Sequence, residues 1–194
     1  MTCTMLPLWT ALDERDHHTA LHGTRTAGIA LEVGHYLDLD PRQLNHLRIA
    51  ATLHDLGKIG IPDDILRKPG KLDDHEWDVM KTHSMRGVRI LSARKNSLGE
   101  AADQEVIETV RHHHEHFDGC GYPDGVKGDN IPLLARILSL VDSYDAMTSA
   151  RPYRVPLTHE RAMMVLAEES GRRSDPRILD VFQRVIPISR YRAC

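Results

Sequence analysis

Aromatic side chains are scarce in this chain, with 2 Trp, 5 Tyr and 2 Phe among 194 residues. Cysteine is scarcer still. Cys3, Cys120 and Cys194 are odd in number and far apart, which suggests a reducing cytoplasm more than a disulfide scaffold. There is no excess of basic charge: the formal net charge of -3 argues against a protein that grips a nucleic-acid duplex through its phosphates. No apolar run approaches the roughly 18 residues of a membrane span. Met1 to Asp13 lacks a basic stretch followed by a sustained apolar core, so no signal peptide is expected. Strand-like alternation is nowhere sustained, and neither an internal repeat nor a low-complexity linker is present.

What remains is an ordinary globular balance, 41% hydrophobic and 27% charged, in a length that suits one core-bearing domain. Helical signals fill it. Glu14 to Leu37 carries apolar residues at three and four spacings. Asp40-Pro41 reads as an N-cap with proline at the first helical position, opening a helix that turns Leu44, Leu47, Ala50, Ala51 and Leu53 inward and stops at Gly57 and Gly60. Asp73 and Glu76 form a capping-box pattern ahead of one helix bearing Trp77, Met80, Val88 and Leu91. Further helices are expected over Glu100–Glu115, Leu133–Ala146, from Thr158 to near Gly171, and from Asp175-Pro176 onward. Phe117 to Pro132, with four glycines and two prolines, must be a loop. The expectation is a single all-α domain over residues 14–186, with a lead-in segment over 1–13 and a tail over 187–194.

The 13 histidines outnumber the aromatics, too many imidazoles to serve only as filler. Four predicted helix regions each deliver candidate histidine ligands. His18 and His22 are spaced i, i+4 on one helix face. His54-Asp55 closes the second helix, His83 lies mid-helix, and His113-His114 end another. Asp142 falls within the apolar run Ile137-Leu138-Ser139-Leu140-Val141, where burying a bare carboxylate is costly and a metal ion would remove the cost. His17, His35, His46, His75, His112, His116 and His159 read as surface or hydrogen-bonded residues.

The stretch His54-Asp55-Leu56-Gly57-Lys58 resembles the HD signature of the HD superfamily of metal phosphohydrolases. His113-His114-Glu115 followed by Asp118-Gly119-Cys120-Gly121-Tyr122-Pro123 resembles the signature of its HD-GYP subfamily. Asp16-x-x-Thr19-x-x-His22, Asp142-Ser143-Tyr144-Asp145-Ala146 and Arg151-Pro152-Tyr153-Arg154 extend the likeness over about Asp16 to Phe182. The resemblance implies a compact helical HD-type domain with a glycine-rich GYP loop, and a cytoplasmic, metal-dependent phosphodiesterase. Its substrate would be cyclic di-GMP, opened to pGpG and in some members carried on to GMP. It implies metal ligands at His22, His54, Asp55, His83, His113, His114 and Asp142, and substrate contacts at Lys58, Tyr122, Arg151 and Arg154. GGDEF-type cyclases docking on the GYP loop, and a homodimer, are partners it leaves open. Two departures stand out: His18 replaces a glutamate that bridges metals in some members, and Ser174 replaces the aromatic that usually precedes the late Asp-Pro.

The chemistry of phosphodiester hydrolysis fits that ligand set. Two divalent ions neutralise the phosphate and lower the pKa of a water between them. Asp55, with two oxygens, is the expected bridge and a catalytic residue, with Lys58 placed to assist on a phosphate or leaving-group oxygen. Mixed nitrogen and carboxylate ligands suit iron or manganese, favoured by the family, with nickel or zinc as alternatives. One ion is expected on His22, His54, Asp55 and Asp142, the other on Asp55, His83, His113 and His114. His18 offers one lone pair and so is expected as an extra terminal or outer ligand, not as a bridge. The rival readings are a catalytically weak nucleotide sensor or cyclase-docking module, and a phosphohydrolase of another cyclic dinucleotide such as cyclic GMP-AMP.

Overall fold

The computed structural model describes residues 6–93, 103–150 and 155–193. Among them ten α-helices follow one another: α1 Leu6–Arg15, α2 His17–Tyr36, α3 Pro41–Leu53, α4 Asp63–Leu66, α5 Asp74–Lys81, α6 His83–Ala93, α7 Gln104–His112, α8 Leu133–Thr148, α9 His159–Glu168 and α10 Pro176–Val185. No strand occurs among the described residues. None of these helices is long and apolar enough to cross a membrane. The expected all-α class holds.

Caps written in the sequence place most of the boundaries. Asp40 and Gln43 form a reciprocal capping box behind Pro41, and Asp73 and Glu76 form another at the start of α5. Thr158 and Asp175 cap α9 and α10 through their side chains. Three boundaries differ from expectation. The first helix breaks at Asp16, which turns to extended backbone and accepts from the Thr19 amide, so α1 and α2 are separate. The helix expected through Trp77 and Leu91 ends at Thr82, and α6 starts afresh at His83, which is therefore the first residue of a helix and not mid-helix. The expected start at Glu100 lies outside the described residues, and α7 runs from Gln104.

The core sits where α2, α3 and α8 meet, with α7, α9 and α10 packed around them. Ile29, Val33, Leu47, Ala50, Ile137, Leu138, Val141 and Phe182 are wholly buried. The Val, Leu, Ile and Phe side chains among them each contribute about 1.5–3 kcal/mol when fully buried. Within the described part of the expected lead-in, α1 places Leu12 in this core and packs Leu8 and Trp9 against it. The tail does likewise through Tyr191 and Ala193.

Two glycines let backbone approach backbone. A Cβ at Gly23 would lie 2.7 Å from the Thr52 carbonyl oxygen, so glycine lets α2 press onto the end of α3 beside His22. A Cβ at Gly57 would lie 1.8 Å from the His83 carbonyl oxygen and 2.5 Å from the Gly87 amide nitrogen. The short 3-10 turn Leu56–Gly60 is thereby seated directly on α6.

Candidate metal centre

These close approaches bring five chain segments to one place. His22 comes from α2, His54 and Asp55 from the end of α3, His83 from the first turn of α6, His113 and His114 from the end of α7, and Asp142 from α8. Neighbouring imidazole centroids lie 5.3 Å apart from His22 to His54, 5.1 Å from His54 to His113, 5.4 Å from His113 to His83 and 4.9 Å from His83 to His114. Their ligand atoms fall into three groups, each close enough to share one ion: His22, His54 and Asp142; His54, Asp55 and His113; and His83, His113 and His114. All seven ligand positions implied by the resemblance are in these groups. His18 is not; it is exposed on the first turn of α2.

The hydrogen bonds behind the rings decide which nitrogens are free. Nδ1 of His54, His83 and His113 each meets a carbonyl oxygen three residues back, on Ala51, Met80 and Val110, at 2.8, 2.8 and 2.7 Å. A carbonyl only accepts, so each Nδ1 carries the proton and each Nε2 presents a lone pair to the interior. The Nε2 atoms of His83 and His113 then face each other at 3.4 Å with no proton between them. His54 Nε2 is buried without a hydrogen-bond partner, its nearest carboxylate oxygens standing at 3.5 and 3.6 Å. Buried lone pairs converging in this way lack a cation, and mixed imidazole and carboxylate donors suit a divalent transition metal. The residues present fit the metal that the sequence implies.

Electrostatics agree. Burial pushes His83 and His113 below the ordinary histidine value and His114 down to about 3, keeping these rings neutral as ligands must be. Burial alone would raise Asp55, but the Lys58 ammonium, 2.6 Å away, and the surrounding imidazoles hold it well below the carboxylate range. Asp142 is likewise held down against burial by His22 and His54. His22 differs: burial lowers it, yet hydrogen bonds to Asp142 at 2.7 Å and Asp145 at 2.6 Å outweigh that and push it up to about 9.

Residues beyond the expected set support the centre. Asp145 is wholly buried, hydrogen-bonded to His22 Nδ1, accepting from the Ser149 hydroxyl and ion-paired with Arg25 at 2.5 Å. Its spacing from Asp142, i, i+3 in an apolar helix, was the available signal. In the glycine-rich loop, buried Glu115 accepts from the amides of Asp124 and Gly125, while Arg111 grips Asp124 in a bidentate pair. A Cβ at Gly121 would lie 2.2 Å from the His116 amide nitrogen, so only glycine closes this loop. Tyr122 is thereby stacked on His114, with centroids 4.8 Å apart and planes at 30°. Arg151 and Arg154 lie outside the described residues. Among the other histidines, His46 bonds Glu105, His112 bonds Asp124 and His159 meets the Tyr144 hydroxyl, as expected of hydrogen-bonded residues.

The chain is similar to several known proteins. The chain is 40% identical over 181 residues to the cyclic di-GMP phosphodiesterase response regulator RpfG of Xanthomonas campestris pv. campestris, covering 93% of this chain and 47% of that protein. It is 37% identical to the 3'3'-cGAMP-specific phosphodiesterase 2 of Vibrio cholerae, covering 88% of this chain and 32% of that one. The chain thus spans about half the length, or less, of these relatives. A crystal structure of a cyclic GMP-AMP-specific phosphodiesterase of V. cholerae superposes with a TM-score of 0.69 at 21% identity, covering 97% of this chain and 49% of the other, a likeness of fold. The HD domain family profile matches residues 8–178, and the chain belongs to that family.

Proposed function

We propose that this chain is a metal-dependent phosphodiesterase that hydrolyses cyclic di-GMP to pGpG, with GMP as a further product open to the same test. The observation that carries the reading is the set of buried, proton-free Nε2 atoms of His54, His83 and His113 converging beside Asp55 and Asp142. A pair of divalent ions held there, iron or manganese in preference to nickel or zinc, supplies charge neutralisation on the phosphate and an activated water. His22, His54, Asp55 and Asp142 would hold one ion, and Asp55, His83, His113 and His114 the other. His18, exposed on α2, fits an outer role at most.

The chain's own residues do the rest. Lys58, part-buried against Asp55, is the residue we assign to a phosphate oxygen or to the leaving-group oxygen. Tyr122 walls the site over His114 and presents its remaining face to a base. Arg151 and Arg154 are assigned to phosphate or guanine-edge contacts on the strength of the sequence resemblance alone. The glycine-rich loop is the surface we assign to a cyclase partner, and the cytoplasm, where such a messenger acts, is the compartment.

Relatives named for 3'3'-cGAMP favour a second substrate reading. Chromatography of the products formed from each dinucleotide by the metal-loaded protein separates the two. Linear pGpG from cyclic di-GMP, at a kcat/KM above that for cyclic GMP-AMP, is the expected result. Turnover of cyclic GMP-AMP alone reverses the substrate assignment, and turnover of neither removes the reading.

A further inference from the structure

Trp77 is neither a candidate ligand nor part of the core, yet its surroundings assign it a role. It stands on α5, a helix with no buried residue, whose first turn is fixed by its capping box and by Lys68 gripping Glu76. Its indole is 48% exposed, although tryptophan is the largest apolar side chain. It is not stranded on an arbitrary surface. Its ring lies 6.4 Å from that of Tyr122 with the planes at 83°, and Tyr122 in turn stacks on His114. Three rings therefore run from the candidate metal centre out to solvent. One face of Tyr122 is already covered by His114, so the tyrosine has a single face to offer. A dinucleotide brings two bases.

We propose that Trp77 is a base-stacking residue of the substrate site, its exposed indole carrying a purine of the cyclic dinucleotide that runs edge-on to Tyr122. The inference rests on the cyclic dinucleotide reading. Stacking on an indole is tolerant of base identity, because every base has a π-face, and removing one such platform weakens binding on the order of tenfold. Trp77 thus contributes affinity and leaves discrimination between guanine and adenine to other residues. An indole offers only an N–H donor and no lone pair for a metal, so metal loading should not depend on it.

Steady-state kinetics of the metal-loaded protein test this with Trp77→Ala and Trp77→Phe. Trp77→Ala should raise KM for cyclic di-GMP and for 3'3'-cGAMP by a similar factor on the order of tenfold, with kcat and metal content within about twofold. Trp77→Phe should recover most of the loss. In a Trp9→Phe background Trp77 is the sole tryptophan, and its emission should be quenched on rapid mixing with cyclic di-GMP. An unchanged KM, or a fall in kcat together with metal content, overturns the stacking role while hydrolysis by the unsubstituted chain keeps the phosphodiesterase reading intact. If the unsubstituted chain hydrolyses neither dinucleotide, the phosphodiesterase reading falls, and the stacking role with it.

Discussion

Asp145 Oδ2 stands 2.6 Å from His22 Nδ1, on the side of the ring away from Asp142. The imidazole is thus turned so that Nε2 meets the candidate centre, and the carboxylate behind it raises its basicity. Outer partners of this kind are worth about 10- to 100-fold in metal affinity. Asp145→Asn keeps the shape and removes the charge, so it should weaken metal binding by that factor, measured by competition with a chromogenic chelator. It also leaves Arg25 facing a neutral amide, so a lower Tm should accompany the loss. Unchanged affinity would show that Asp145 serves the fold alone.

Lys58 and Asp55 form a second close pair, at 2.6 Å. Asp55 is the expected bridge between ions, so Asp55→Ala should abolish both turnover and the second equivalent of metal. Lys58→Met should leave metal content near that of the parent protein and lower kcat by about 100-fold, within the range of a general acid. Elemental analysis beside product chromatography distinguishes the two, and metal loss in Lys58→Met would mean that the lysine only props the bridge.

The buried rings give metal-free protein a stability optimum. His83, His113 and His114 have folded values pushed below the ordinary histidine value of about 6.5. Their contribution is present above about pH 6.5 and is lost as pH falls, because the unfolded chain takes up protons that the folded one refuses. Three such groups set an upper slope of about 4 kcal/mol per pH unit. His22 acts oppositely: raised to about 9, its contribution is full below about pH 6.5 and lost as pH rises through 9. Because three groups oppose one, calorimetry in a chelator should show Tm greatest at about pH 7 and falling on both sides. Added metal, which competes with protons for the same nitrogens, should move the optimum upward. A flat profile from pH 6.5 to 5 would show that the three rings are not held neutral.

Much of the fold and the centre was legible in residues that act locally. Asp40, Asp73, Thr158 and Asp175 cap helices through contacts two or three residues away, and such contacts leave a pattern in the chain. The seven candidate ligands were legible because their types and order match a signature. Asp145 escaped as a functional residue because its partner, His22, is 123 positions distant. Trp77 escaped for the same reason, since its proximity to Tyr122 exists only after α5 folds beside the glycine-rich loop. The break at Thr82 escaped because apolar spacing continues across it.

Gly57 sits within the 3-10 turn Leu56–Gly60, and none of the three atoms nearest its missing Cβ belongs to a side chain. At 1.8 Å from the His83 carbonyl oxygen and 2.5 Å from the Gly87 amide nitrogen, a methyl group cannot be accommodated by a rotamer change. Either the turn lifts off α6 or α6 moves, and both outcomes separate Asp55 from His83. Overpacking of a core by one methyl costs typically about 1–3 kcal/mol, and a clash with backbone belongs at the upper end. Gly57→Ala should therefore lower the urea midpoint and, in the fraction still folded, lose the metal that Asp55 and His83 are proposed to share. Gly128→Ala is the contrasting case: its φ is +60°, but nothing lies within 4 Å of the added Cβ. It should cost about 1–2 kcal/mol through the left-handed backbone and leave metal binding untouched. If both variants lost metal alike, general destabilisation would explain the effect; if Gly57→Ala kept it, the seating of the turn on α6 would not position the centre.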